Sequence, residues 1–139
     1  MNRWKYEELE VGHEEKFQVT ITEEMLNQFC MITGDDNPLH RDADFAKKRG
    51  FPSRVAYGML SAGFLSTLAG VYLPGENSLI HEVEAKFIKP VLIGDTLEIR
   101  GNVTECNDLF HQITIKVQIL NQHGDKVLRG KMKVGILNE

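Results

Sequence analysis

From residue 58 to residue 72 the chain reads Gly-Met-Leu-Ser-Ala-Gly-Phe-Leu-Ser-Thr-Leu-Ala-Gly-Val-Tyr, with no charged side chain and with apolar or small residues on every helical face. A helix of that kind has no side to give to water and must be enclosed. At about 15 residues it spans about 22 Å, too short for a bilayer but suited to the centre of a domain. Ser61, Ala62, Gly63 and Ser66 are small enough to let neighbouring backbone come close. The rest of the chain therefore has to supply a wrapper.

The C-terminal half is patterned to do so. Val83, Ala85 and Phe87 alternate with polar residues before Pro90, Leu97, Ile99, Gly101 and Val103 alternate after Gly94-Asp95, and Ile113, Ile115, Val117 and Ile119 alternate again. Period two is the mark of half-buried strands. Residues 121–125, Asn-Gln-His-Gly-Asp, read as a hairpin-like turn into a last strand carrying Val127, Leu128, Gly130, Met132, Val134 and Ile136. In the N-terminal half Phe17, Val19 and Ile21 predict a first strand that ends at Thr22, a good helix N-cap. Met25, Leu26, Phe29 and Ile32 then follow at helical spacing up to Thr33-Gly34, where glycine accepts the positive φ of a C-terminal cap. A second brief helix is expected from a cap at Asp42 or Asp44 to Gly50, with Phe45 and Ala46 packed and Lys47, Lys48 and Arg49 offsetting the dipole at its end. The expected fold is α+β, a single domain over residues 1–139 in which a mostly antiparallel sheet of about five strands curls round one long buried helix.

Between the two N-terminal helices lies Asp35-Asp36-Asn37-Pro38, dense in residues that bond to their own backbone or fix φ, and so a rigid loop. Asp35 and His40 stand five positions apart across it. A carboxylate and an imidazole that reach one water can polarise it and shuttle its proton. The spacing by itself fits equally a turn aspartate beside a surface histidine.

The longer string resolves that choice through resemblance. Gly34-Asp35-Asp36-Asn37-Pro38-Leu39-His40, with Ala46 at a trailing small position, resembles without a gap the signature of the MaoC-like, or (R)-specific, enoyl-CoA hydratases. The likeness continues through Phe51-Pro52-Ser53-Arg54-Val55-Ala56-Tyr57-Gly58-Met59-Leu60 and Phe87-Ile88-Lys89-Pro90-Val91 to Gly94-Asp95, most of the chain. It implies the hotdog fold, a curved antiparallel sheet round one long helix, in agreement with the reading above. It also implies reversible hydration of trans-2-enoyl thioesters to (R)-3-hydroxyacyl thioesters by a hydro-lyase. Asp35 and His40 match the pair that holds the water, and the backbone N–H of Gly58 matches the donor to the thioester oxygen. Asn37 and Tyr57 match supporting positions, and Ser66 matches a hydroxyl position. The chain departs from the commonest family form at Tyr57, where many members carry His, and the change bears on acyl-chain or carrier preference.

The implied substrate is an acyl-CoA or acyl-carrier-protein thioester, and the implied assembly a homodimer or a set of dimers. A dehydratase of carrier-bound or specialised hydroxyacyl groups, an acyl-CoA thioesterase and a non-catalytic acyl-thioester-binding subunit are the alternatives. The intact Asp-x-Asn-Pro-aliphatic-His loop speaks against the thioesterase.

Composition narrows the field further. The formal charge of -4, from 16 basic and 20 acidic residues dispersed along the chain, gives no footprint for nucleic acid or an anionic membrane. His13, His81, His111 and His123 show no metal-ligand spacing, so neither a metal nor an organic cofactor is expected. Cys30 and Cys106 lie far apart without a CxxC pattern and read as reduced thiols. No apolar leader opens the chain and no run is long enough to cross a bilayer, which points to the cytoplasm.

Overall fold

A computed structural model describes residues 1–138. The alternating segments form five antiparallel strands, β1 (Glu14–Thr20), β2 (Ser78–Phe87), β3 (Thr96–Asn107), β4 (Gln112–Leu120) and β5 (Lys126–Ile136), in the spatial order β1-β3-β4-β5-β2. Register follows the apolar period: Phe17 of β1 opposes Ile99 of β3, and Ile115 of β4 opposes Met132 of β5. One face of the sheet is consequently continuous hydrocarbon. Leu97, Ile99, Val103, Ile113, Ile115, Val117, Ile119, Leu128, Met132 and Val134 are all fully buried. Each such side chain contributes about 1.5–3 kcal/mol when taken from water.

The charge-free segment lies on that face. Gly58–Thr67 form a regular helix, α4, and Leu68–Tyr72 continue it as a wider π turn, closed by the N–H of Leu73 donating to the carbonyl of Leu68 at 2.8 Å. Leu65, Leu68 and Ala69 are buried against the sheet. The helix is not enclosed on every side, however, because Met59 and Ser66 remain exposed. A single sheet covers only one flank of a cylinder.

Helix α1 (Glu23–Thr33) has the expected ends: Thr22 Oγ1 accepts from the N–H of Met25 at 3.2 Å, and Gly34 turns left-handed at φ 76°. Ile32, placed on its inner face by spacing, is 84% exposed. Helix α3 (Ala43–Lys48) is capped by Asp42, which accepts from the N–H groups of Asp44 and Phe45. Between them stands a one-turn helix that periodicity does not reveal, α2 (Pro38–Arg41). Four residues carry no period, but Asn37 caps this turn and Pro38 supplies the helical φ at its first position. The largest departure from the sequence reading is β2. Val83 and Phe87, placed on the apolar side of a half-buried strand by alternation, are exposed: β2 is an edge strand, and even Phe87, whose ring lies against the start of α4, keeps about half of its surface open.

Candidate active site

The loop after α1 is ordered by its own polar groups. Thr33 Oγ1 donates to the carbonyl of Phe29 at 2.8 Å and accepts the N–H of Asp35 at 3.2 Å. Asp35 Oδ1 accepts the N–H of Asn37 at 3.2 Å, and Asn37 Oδ1 accepts the N–H of Leu39 at 3.0 Å. Asn37 therefore holds backbone, the local bonding that its residue type favours. Asp35 keeps an exposed carboxylate on a fixed backbone, while Asp36 beside it is exposed too.

His40 rides on α2 and is tied from two directions. Its Nδ1 lies 2.7 Å from the carbonyl of Val55, which can only accept, so Nδ1 carries the hydrogen and the neutral ring leaves Nε2 with a free lone pair. Arg54, whose side chain is mostly buried, donates through Nε to the carbonyl of His40 at 2.7 Å and through its guanidinium to Glu23 at 2.9 Å and Asn27 at 3.3 Å. Arg54 thus clamps α2 to α1. In the sequence Arg54 stands out only as part of a string, because the partners of a guanidinium are set by tertiary structure.

Tyr57 joins both halves of the pair. Its hydroxyl donates to the backbone carbonyl of Asp35 at 2.6 Å, and its ring stacks on that of His40 with centroids 4.1 Å apart. Phe29 backs it at 4.6 Å. Burial, then the neighbouring Cys30 thiol, pushes the phenol up to about 12, so it stays a donor at any physiological pH. A tyrosine at this position is therefore a brace between the Asp35 loop and the His40 ring.

Two cavities meet at these residues. The larger, about 550 Å³, is lined by Phe29, Thr33, Asp35, His40, Tyr57 and Gly58, with Met59 and Phe87 at its edge. The smaller, about 290 Å³, shares His40, Gly58 and Phe87 and continues between Val55, Ala56, Val91 and Val127. Gly58 opens α4 at the junction. No side chain caps that helix, and the carbonyl of Tyr57 takes the N–H groups of Leu60 and Ser61, which leaves those of Gly58 and Met59 without a partner among the described residues. Unpaired N–H groups at the positive end of a helix suit an oxygen that gains negative charge. A Cβ on Gly58 would stand 3.1 Å from the Phe87 ring, so any other residue would crowd this passage unless the ring gave way. Ser66, by contrast, is exposed and lines neither cavity.

Known proteins place this geometry in a family. Residues 8–125 match the MaoC-like domain family, well over half of the chain. The chain belongs to the MaoC-like domain family. It is 37% identical over 99 residues to the (R)-specific enoyl-CoA hydratase of Rhodospirillum rubrum, a stretch covering 71% of this chain and 69% of that protein. Its identity to the (R)-specific enoyl-CoA hydratase of Aeromonas caviae is 30% over 126 residues, covering 91% and 94% of the two chains. The unliganded R-hydratase of Pseudomonas aeruginosa superposes with a TM-score of 0.91 at 32% identity, over 96% of this chain and 86% of that one. The curled sheet round α4 is the hotdog fold. In this MaoC-like domain several cavity residues, Ser61 and Phe87 among them, are not marked as parts of a site by the sequence. Ser61 reads only as a small helix residue, and Phe87 as one beat of an alternation and the first residue of a string shared with the family.

Proposed function

We propose that this chain is a hydro-lyase that adds water across the trans-2 double bond of an enoyl-CoA thioester, and in reverse removes it from the (R)-3-hydroxyacyl thioester. The observation that carries this reading is the convergence of Asp35, His40 and the open N–H of Gly58 on one cavity. Asp35 and the free Nε2 of His40 hold one water between them. The water oxygen bonds to C3, the pair accepts one of its protons and returns a proton at C2, and the π electrons pass through an enolate to the new C2–H bond. The N–H of Gly58 bonds the thioester oxygen while that oxygen carries the enolate charge. Val55, Arg54 and Tyr57 keep the imidazole and the carboxylate loop in place, which holds the water oriented for attack. The test is loss of enoyl absorbance when the protein is mixed with crotonyl-CoA. Appearance of free CoA with no 3-hydroxybutyryl-CoA would replace hydration by thioester hydrolysis.

A homodimer completes the proposal. The free edge of β2 exposes Leu79, Val83 and Phe87, and Met31, Ile32 and Met59 are exposed on α1 and α4. An unpaired strand edge with apolar side chains is a natural seat for a second copy. Light scattering should give twice the chain mass at micromolar concentration, and a fully active monomer would refute this. No helix among the described residues is long and apolar enough to cross a membrane. The two free thiols, Cys30 and Cys106, fit a reducing compartment such as the cytoplasm.

A further inference from the structure

The smaller cavity contains a polar group that the hydration chemistry leaves unused. Ser61 lies on α4 three residues after Gly58, is 3% exposed, and lines the cavity together with Gly58 and His40. Its Oγ is buried and has no hydrogen-bond partner among the described residues. A helical serine that does not face solvent can bond back to the carbonyl four residues earlier. Here that carbonyl belongs to Tyr57 and already accepts from the N–H groups of Leu60 at 3.1 Å and Ser61 at 3.3 Å. Both lone pairs are taken. The cavity that Ser61 lines is walled mainly by hydrocarbon, from Val55, Ala56, Val91 and Val127, with His40 and Lys89 as its ionisable lining residues. A hydroxyl left unpaired in such surroundings is destabilising, and a ligand that brings an oxygen relieves it.

Position decides which ligand oxygen that is. Residues three apart on a helix are neighbours, with side chains about 5–6 Å from each other. When the thioester oxygen sits on the N–H of Gly58 and the acyl group enters the smaller cavity, a hydroxyl one helical turn away meets the acyl carbons beyond the double bond. Such a contact requires Oγ to face the lumen, which a rotation between staggered χ1 wells would provide. We propose that Ser61 makes the site selective for enoyl thioesters whose acyl group carries an oxygen on its fourth or fifth carbon. An unsubstituted alkyl tail buries Ser61 without a partner, whereas an oxygenated tail pairs with it. The proposal rests on the hydration reading and deepens it to a substrate class.

Two isosteric probes test it, trans-2-hexenoyl-CoA and trans-5-hydroxy-2-pentenoyl-CoA, in which a hydroxyl replaces the terminal methyl. For the unaltered protein kcat/KM should favour the hydroxylated probe by about tenfold or more, since a site built to bond a hydroxyl discriminates against the analogue lacking it. In Ser61→Ala that ratio should collapse to one or invert, and in Ser61→Thr it should be retained. Equal use of the two probes by the unaltered protein overturns the proposal, even if no variant folds. So does a Ser61→Ala protein in which both probes slow by the same factor, the pattern of a merely structural serine or of a donor to the thioester oxygen. If the unaltered protein hydrates neither probe nor crotonyl-CoA, the hydration reading fails separately. Selectivity is then read from the Kd of each probe, and an equal pair of values overturns the proposal.

Discussion

Strand β4 and the segment of residues 33–57 are both closely held, but by opposite means. β4 buries Ile113, Ile115, Val117 and Ile119 completely and depends on the transfer of hydrocarbon from water. The site segment leaves Asp35, Asp36 and Asn37 exposed and depends on directed bonds from Thr33, Asn37, Arg54 and Tyr57. Burial is strong and indifferent to direction, whereas each polar bond contributes only about 0.5–1.5 kcal/mol but fixes an angle. The molecule thus keeps its stability in one region and its orientation in another. If so, substitutions in the two regions must fail in different measurements.

The largest expected effect belongs to the site. Asp35→Asn keeps the shape of the side chain and removes the charge proposed to take part in proton transfer, and His40→Ala removes the imidazole. Each should lower kcat on crotonyl-CoA by about 10²–10⁴-fold, or about 3–5 kcal/mol of barrier, while the melting temperature moves little. If both groups act on one water, as proposed, the double variant should lose less than the product of the single losses. Full multiplicative loss would mean that the two residues act on separate steps.

In β4 the failure should be thermal instead. Ile115→Ala leaves a cavity beneath a fully buried position and should cost about 2–5 kcal/mol in denaturant titration. The protein that remains folded should turn over at nearly the original kcat. A large fall in kcat with unchanged stability would erase the distinction between the regions.

The same contrast explains what the sequence could convey. Thr22 and Gly34, the ends of α1, were legible because capping chemistry is local. The inner faces of β3, β4 and β5 were legible because period two survives folding wherever a face is covered. Val83 and Phe87 carry the same period, yet they are exposed, since alternation tells which residues share a face and not whether anything covers it. Helix α2 was missed because one turn has no period. Asp35, His40 and Gly58 were singled out through a motif, and their shared cavity depends on tertiary bonds from Val55, Arg54 and Tyr57 that no spacing reports. Ser61 and Ser66 looked alike as small helix residues, and only the wrapping of α4 separates the buried one from the exposed one.

An intermediate effect should arise where the two regions touch. Gly58→Ala would place a methyl 3.1 Å from the Phe87 ring, closer than comfortable contact, so the ring or the end of α4 must shift by a few tenths of an ångström. Misplaced donors are costly, and kcat/KM should fall by about tenfold with little change in melting temperature. A smaller effect is expected for Tyr57→Phe, which keeps the stack on His40 and loses the bond to the Asp35 carbonyl. Its stability should drop by about 1 kcal/mol and its kcat by a few-fold. If the drop in kcat equalled that of Asp35→Asn, the phenol would belong to the chemistry and not to the brace.

The smallest effect should come from the residue next to the most sensitive one. Asp36 shares charge, exposure and loop with Asp35, yet it lines neither cavity. Asp35 is bound into the loop through its N–H to Thr33, its carboxylate to the N–H of Asn37 and its carbonyl to Tyr57. Asp36→Asn changes one surface charge in a turn already held by those neighbours, and such substitutions usually stay within about 0.5 kcal/mol. Its kcat on crotonyl-CoA should remain within a few-fold of the unaltered protein, and its melting curve should superpose. Measured beside Asp35→Asn, it separates the charge of the loop from the one carboxylate that faces the cavity. A folded but inactive Asp36→Asn protein, next to an Asp35→Asn protein of normal turnover, would shift the motif by one residue and with it the water that the proposed reaction requires.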